Sequence, residues 1–190
     1  MMIIAHSVIY MKTINYAPQC GYRNVLADCY IRGMPSHVEP YREWSFRQNL
    51  LRSCIEKASH SIDVLCMQEV DHYEDFYASL FESFGYGTVY MQRPSKDDGC
   101  LIAYRNDRFE LRDVMRVNLD SLGYLDANAQ QKGRSKFTKQ NVAVLALFKE
   151  RGSTKSFISA TCHLHWNPHL QEVKYAQALH VLSLLQQFRQ

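Results

Sequence analysis

Residues 62–71, IDVLCMQEVD, constrain this chain more than any other stretch. The apolar run over 62–67 reads as a buried strand, and it breaks into Gln68, Glu69 and Val70. In open α/β sheets, catalytic groups collect beyond the strand ends. A carboxylate at such an end is held by the core and still faces a cleft. The plainer reading of Glu69 is a helix-leading acid, because a helical pattern starts just after it and a negative charge is favoured there.

That helical pattern is carried by Tyr73, Phe76, Tyr77, Leu80, Phe81 and Phe84, spaced as one amphipathic face and closed by Gly85. Its aromatic stripe reads as core. A second helix is expected over 41–59, with Trp44, Leu51, Ile55 and Ala58 on one side. A third runs from Pro168 with Tyr175, Ala178, Leu179, Leu182 and Leu185 on one face, Pro168 suiting a first turn. Residues 24–40 read as a strand end followed by a Gly/Pro-bearing loop, and 120–140 as a long polar loop. Strands are expected at 86–91, 99–105, 109–119, 141–148 and 156–166, with a turn at Asn106-Asp107. Several of these strands follow one another directly. That pattern favours a mixed or antiparallel sheet with helices outside it, an α/β sandwich, over a strictly alternating doubly wound fold.

Composition bounds the rest. With 190 residues, 46% apolar and 22% charged, the chain suits one globular domain or a piece of a larger one, and disorder is not the default. A formal charge of +3 tolerates a polyanionic substrate without demanding one, since a dedicated nucleic-acid binder carries a denser basic stripe. The six cysteines include no C-x-x-C pair, which argues against a zinc ribbon and for reduced structural thiols in a cytosolic or nuclear protein. The opening MMIIAHSVIY lacks the features of an export signal, and no run approaches the ~20 apolar residues of a membrane span.

Three stretches can carry chemistry. Glu69 is one: a single carboxylate plus phosphate oxygens and waters is the usual way to hold Mg²⁺. In ATCHLHWNP (160–168), His163 and His165 are two apart on a strand and so share a face. They could pair on a transition metal, though no other ligand cluster accompanies them; one could instead contact a phosphate while the other packs. In KDDGCLIAY (96–104) the Asp-Gly step is a hairpin signal, with Lys96 and Asp98 at a cleft rim.

Taken together, NVLADCY (24–30), IDVLCMQEVD (62–71), DDGCLIAY (97–104), NVAVLALF (141–148) and TCHLHWNP (161–168), followed by VKYAQALHVL (173–182), resemble one family. It is the endonuclease/exonuclease/phosphatase superfamily, in the group of the carbon-catabolite-repressor deadenylases, nocturnin and Angel. The resemblance implies a DNase I-like two-sheet sandwich flanked by helices, incomplete at its C-terminal half. It divides the chain into an atypical segment 1–23 and the N-terminal part of such a domain over 24–190. It implies that Glu69 and Asn24 hold Mg²⁺ (or Mn²⁺) and that His163 stands beside the scissile phosphate. Asp98 and Asn141 are implied near the substrate, and Trp166 and Pro168 at a rim that touches a base.

The chain departs from the family in two places. Pro18 and Gly21 are poor company for the strand that should lead into Asn24, so either residues 3–10 supply a substitute or that strand is missing. The family's second-half Gly-Asp-Phe-Asn and closing Asp-His motifs are absent; Asp126-x-Asn128 and Asp71-His72 spell them but lie in the wrong context. The chain then reads as a truncated product or incomplete gene model. The expected function is Mg²⁺-dependent phosphodiester hydrolysis of the 3′–5′, poly(A)-directed exoribonuclease type on single-stranded RNA ends, in the cytoplasm or nucleus. The alternatives are a nucleotide phosphatase and a non-catalytic fragment that binds RNA or a protein partner completing the fold. No membrane role is expected.

Overall fold

A computed structural model describes residues 2–5, 8–11, 18–31, 40–128 and 135–188. In chain order it holds β1 (Met2–Ala5), β2 (Val8–Met11), β3 (Cys20–Asn24), a short α1 (Asp28–Ile31), α2 (Trp44–Ser59) and β4 (Val64–Val70). A π-helical turn (Tyr73–Tyr77) then leads into α3 (Ala78–Ser83), β5 (Tyr86–Gln92), β6 (Gly99–Arg105) and β7 (Phe109–Asn118). After a 3₁₀ segment (Leu119–Leu125) come β8 (Val142–Glu150), β9 (Ser156–Cys162), a 3₁₀ turn (Pro168–Leu170) and α4 (Gln171–Phe188).

Period-two alternation in the strands builds the layers. Along β4, Val64 and Cys66 face the other sheet and pack with Cys100 and Ile102 of β6, Val142, Val144, Ala146 and Phe148 of β8, and Phe157 of β9. Leu65 and Met67, pointing the opposite way, pack with Ile55, Phe76, Tyr77, Leu80 and Phe81 from the helical side. On the second sheet, Ala143, Leu145, Ile158 and Ala160 meet Val181 and Leu185 of α4. The result is two sheets face to face with helices on both outer sides, as expected for the family's two-sheet sandwich. One sheet runs β1-β2-β9-β8-β7 and the other β3-β4-β6-β5; among the described strands only β3 and β4 pair in parallel.

The strand before Asn24 exists. Residues 20–24 pair with Val64–Gln68 of β4 at the edge of their sheet, where one ladder suffices. Pro18 precedes the strand and so removes no ladder donor, and Gly21 lies against the Leu65 side chain. Strands β1 and β2 join the opposite sheet, through β9, so they are no substitute for β3. The chain between residues 32 and 39, read above as a Gly/Pro loop, and residues 129–134 of the polar loop lie outside the described residues.

Other expectations shift at their edges. The polar loop contains the 3₁₀ segment, with Leu119 and Leu122 buried. The helix after Glu69 starts as a π-helical turn before α3. The long strand to 166 ends at Cys162. On α4 the buried row is Val173, Gln177, Val181 and Leu185, whereas Tyr175 and Leu179 are exposed at 68% and 47%. A fully buried glutamine in that row had masked the true face. Among the described residues no helix is long and apolar enough to cross a membrane.

Gly99 opens β6 where space is smallest. A Cβ there would come within 2.3 Å of the Met91 carbonyl oxygen and 2.7 Å of the Tyr90 ring. The obstacle includes backbone, so Gly99→Ala is expected to cost about 1–3 kcal/mol. Thermal melting checks this: the expected drop in Tm is several degrees, roughly 2–4 °C per kcal/mol in a chain of this size. An unchanged Tm would mean that the β5–β6 ladder yields freely.

Candidate active site

Antiparallel pairing brings four strand ends to one end of the sandwich, and the parallel pairing of β3 with β4 adds a fifth. Strand β4 ends where β6 begins, since Gln68 pairs with Cys100 and Val70 with Gly99. Likewise β9 ends where β8 begins, since Ala143 pairs with Cys162. The two sheets are tied there by a buried hydrogen bond, Gln68 Nε2 donating to Thr161 Oγ1 at 2.6 Å. Asn24, Glu69, Asp98, Asn141 and His163 sit at or just beyond these ends.

Glu69 is placed by a β-bulge rather than by a simple strand end. The register of β4 shifts between Gln68 and Val70, which leaves Glu69 as the extra residue. Its φ is +57°, and the phase change sends Val70 to the helical side of the sheet. Leu26 (φ +59°) and Gln140 (φ +58°) share this left-handed backbone, and all three line one cavity of about 710 Å³. Each such residue costs on the order of 1 kcal/mol, and strain of this kind gathers where geometry is enforced for function.

Within the cavity, Asn24 Nδ2 donates to Glu69 Oε1 at 2.6 Å, while Asn24 Oδ1 accepts from the Leu26 amide at 2.9 Å. The second carboxylate oxygen, Glu69 Oε2, is buried and has no hydrogen-bond partner. Across from it, His163 Nε2 lies 3.7 Å from Glu69 Oε1, and His163 Nδ1 lies 3.6 Å from Asp98 Oδ2. The His163 amide donates to the Val142 carbonyl, which fixes the chain as it leaves β9.

Asp98 was expected at the rim near substrate. The structure instead buries it completely, behind His163. Burial of the charge is matched by Arg93, whose Nη1 donates to both Asp98 oxygens, and by the Tyr30 hydroxyl, which donates to Oδ1. Burial alone would raise the Asp98 carboxyl; His163 and Arg93 outweigh it and hold it below the ordinary value. Burial chiefly pushes the Tyr30 hydroxyl up to about 12, so it stays a neutral donor.

A carboxyl depressed in the folded state contributes stability that is present above its unfolded pKa of ~3.9 and is lost as pH falls through the lower folded value. Melting between pH 5 and about pH 2 should therefore show a steeper loss for the parent than for Asp98→Asn. Parallel curves would remove Asp98 from the acid response.

Asn141 is buried at the cavity wall and its Oδ1 accepts from Gln177 Nε2 at 3.1 Å. Gln177 Oε1 in turn accepts from the His165 amide at 2.9 Å. His163 and His165 lie beyond the end of β9, not on it, yet both line the cavity. Burial first, then Lys139, Lys174 and Arg93, push the His165 imidazole below its ordinary value, and its Nε2 is buried without a hydrogen-bond partner. Trp166 is 76% exposed on the cavity wall with Lys96 and Lys139 nearby on the same rim. Pro168 is not part of that wall; it starts the 3₁₀ turn before α4.

Sequence reasoning missed Arg93, Tyr30 and Gln177. Tyr30 lies in the 24–30 stretch and Gln177 in the 173–182 stretch of the family resemblance, and a polar residue in an apolar helical row was the available signal for Gln177. The two misplaced spellings behave as local structure. Asp126 Oδ1 accepts from the Asn128 amide. Asp71 accepts from the Asp28 amide, and His72 bridges Asp28 and Asp75 while stacking on Trp44. Asp28, Asp71 and His72 place ligand atoms within 4.8 Å of one another, but Arg47 already pairs with Asp28.

Comparison with known proteins adds an independent line. No family model matches the chain. It is 28% identical over 195 residues to carbon catabolite repressor protein 4 homolog 4 of Arabidopsis thaliana, covering 87% of this chain and 46% of that protein. It is 28% identical over 163 residues to the CCR4-Not complex 3′-5′-exoribonuclease subunit Ccr4 of Kluyveromyces lactis, covering 75% of this chain and 20% of that protein. Among solved structures, ANGEL2, a 2′,3′-cyclic phosphatase, superposes with a TM-score of 0.68 at 27% identity, over 93% of this chain and 49% of that one. The chain thus spans less than half the length of these proteins.

Proposed function

The chain belongs to the endonuclease/exonuclease/phosphatase superfamily, and on that premise we propose that it carries the metal-binding half of a phosphodiester hydrolase acting on RNA 3′ ends. The observation that carries this reading is Glu69: a carboxylate on a strained bulge, with one buried oxygen unpartnered and His163 beside it. An oxygen so placed fits a hard divalent cation, Mg²⁺ or Mn²⁺, which takes one or two protein carboxylates and leaves its other positions to water and phosphate. When bound, the cation supplies charge neutralisation at the non-bridging phosphate oxygens.

The chain's own residues do the rest. Asn24 holds Glu69 by its Oε1, so the free oxygen keeps one direction, and the amide oxygen of Asn24 is a second candidate ligand. His163 donates to the phosphate, a held donor aimed at the charge that develops there. Asp98 faces the His163 ring from behind, its Oδ2 3.6 Å from Nδ1, and favours the orientation that turns Nε2 toward Glu69 and the phosphate. Asn141 offers its amide at the cavity wall, and Trp166 offers a stacking face for a base with Lys96 and Lys139 near the backbone.

The preferred reaction is 3′–5′ exoribonucleolysis of poly(A), the Kluyveromyces relative being a 3′-5′-exoribonuclease subunit. A second reading, a phosphatase acting on cyclic-phosphate or small nucleotides, draws on the ANGEL2 likeness. A non-catalytic role remains the competing class: the chain spans less than half of these relatives, and a protein partner could complete the site. The site of action on this reading is the cytoplasm or nucleus. The deciding assay offers poly(A), RNA with a 2′,3′-cyclic phosphate end and a dinucleotide, each with Mg²⁺ and with EDTA. EDTA-sensitive shortening of poly(A) supports the first reading, and turnover of the cyclic end alone supports the second. No turnover, with the chain folded, supports the binding role.

A further inference from the structure

Arg93 is a buried cation whose donors are shared among separate pieces of chain. Its Nη1 donates to the Tyr30 hydroxyl at 2.7 Å and to Asp98 at 3.2 Å, which joins α1's Tyr30 to the start of β6. Nε donates to the Gln140 carbonyl at 2.7 Å, and Nη2 to the Lys139 carbonyl at 3.4 Å. The side chain is 8% exposed. Gln140, which accepts the shortest of the carbonyl bonds, is also one of the strained left-handed residues. A guanidinium has a planar fork of donors that can serve a carboxylate and two carbonyls at once; an ammonium is a point charge and cannot.

We propose that Arg93 is a positioning residue with two separable branches, one through Asp98 to His163 and one through the 139–140 backbone to Asn141. The first branch fixes the His163 ring, since Asp98 is the carboxylate behind its Nδ1. The second holds the strained turn that presents Lys139 and Asn141 to the cavity. The proposal rests on the hydrolase reading for its kinetic consequences but not for its structural ones.

The branches are separated by comparing Arg93→Lys with Arg93→Met in the full chain. Lysine keeps the charge beside Asp98 and loses the carbonyl bonds; methionine loses both. With Mg²⁺ and an RNA substrate, Arg93→Lys should raise KM roughly tenfold with kcat changed by less than about threefold, a supporting shell being worth 10–100-fold. Arg93→Met should lower kcat as well, by roughly 10–100-fold. Independently of turnover, ¹⁵N NMR should show the Gln140 and Asn141 amide signals moved in both variants, and the His163 ring nitrogens moved only in Arg93→Met. If Arg93→Met does not fold, Arg93→Lys still decides through its amide signals. Unmoved 140–141 amides in a folded Arg93→Lys chain overturn the proposal, as do His163 ring signals equal to the parent's in a folded Arg93→Met chain. A parent without any phosphoesterase activity would count against the hydrolase reading alone, and the NMR comparison would still judge Arg93.

Discussion

Glu69→Ala is expected to reduce Mg²⁺-dependent phosphodiester hydrolysis by roughly 10³-fold or more, because a metal's charge stabilisation is worth several kcal/mol and each 1.36 kcal/mol is tenfold. The same substitution should leave the fold intact. Glu69 is the extra residue of a bulge, its apolar neighbours Met67 and Val70 pack without it, and its Oε2 makes no hydrogen bond. A melting curve taken with and without Mg²⁺ gives a readout free of turnover: the parent should gain stability from the ion and Glu69→Ala should not. Glu69→Gly adds a second arm. Glycine adopts a φ of +57° without the steric cost an alanine meets there, so Glu69→Gly should melt above Glu69→Ala by about 1 kcal/mol of stability while being equally inactive. A Glu69→Ala protein that hydrolyses RNA at the parental rate would falsify the assigned role.

Phe148→Ala is expected to destabilise the protein by about 3–5 kcal/mol, the usual cost of removing a buried ring from a core that cannot collapse. Phe148 is completely buried between the sheets. Its ring lies 4.8 Å from that of Tyr104 in one sheet and 5.2 Å from that of Phe157 in its own. The hole would open where two rigid sheets meet, so neighbouring side chains have little freedom to fill it. The expected drop in Tm is on the order of 10 °C. Tyr175→Ser is the matching control: at 68% exposure it should change stability by less than about 0.5 kcal/mol. A loss at Phe148 no larger than that control would mean that the two sheets do not pack as one core.

These two residues illustrate what could be read from the chain. Phe148 lies in NVAVLALF, where an uninterrupted apolar run marks a strand buried on both faces. Glu69 was legible as a polar residue ending such a run. Its bulge was not, because a bulge is a mismatch of register with β6, and register is a property of two strands together. Asp98 was legible as part of an Asp-Gly step but misplaced: whether that step faces substrate or the back of an imidazole depends on where β9 ends. Gln177 was hidden by its own chemistry. A glutamine breaks an apolar helical row on paper, and it is buried here because Asn141 Oδ1 satisfies its side-chain nitrogen and the His165 amide its oxygen.

The elements from α2 to α4, the mixed-sheet sandwich and the polar end of the 62–67 strand at Glu69 were legible in local patterns, since side-chain period and turn chemistry act over a few residues, whereas Asn24, Asp98, Asn141 and His163 were singled out as a set by the family resemblance. Tertiary structure alone decided the left-handed backbone at Glu69, the burial of Asp98 behind His163, and the tying of Asp98 to the 139–140 backbone by Arg93 and of Asn141 to the His165 amide by Gln177. The contacts behind them join segments distant in the chain, such as Gln177 and Asn141 with a separation of 36 or Gln68 and Thr161 with a separation of 93, where only packing and hydrogen bonding in the folded state can select one arrangement.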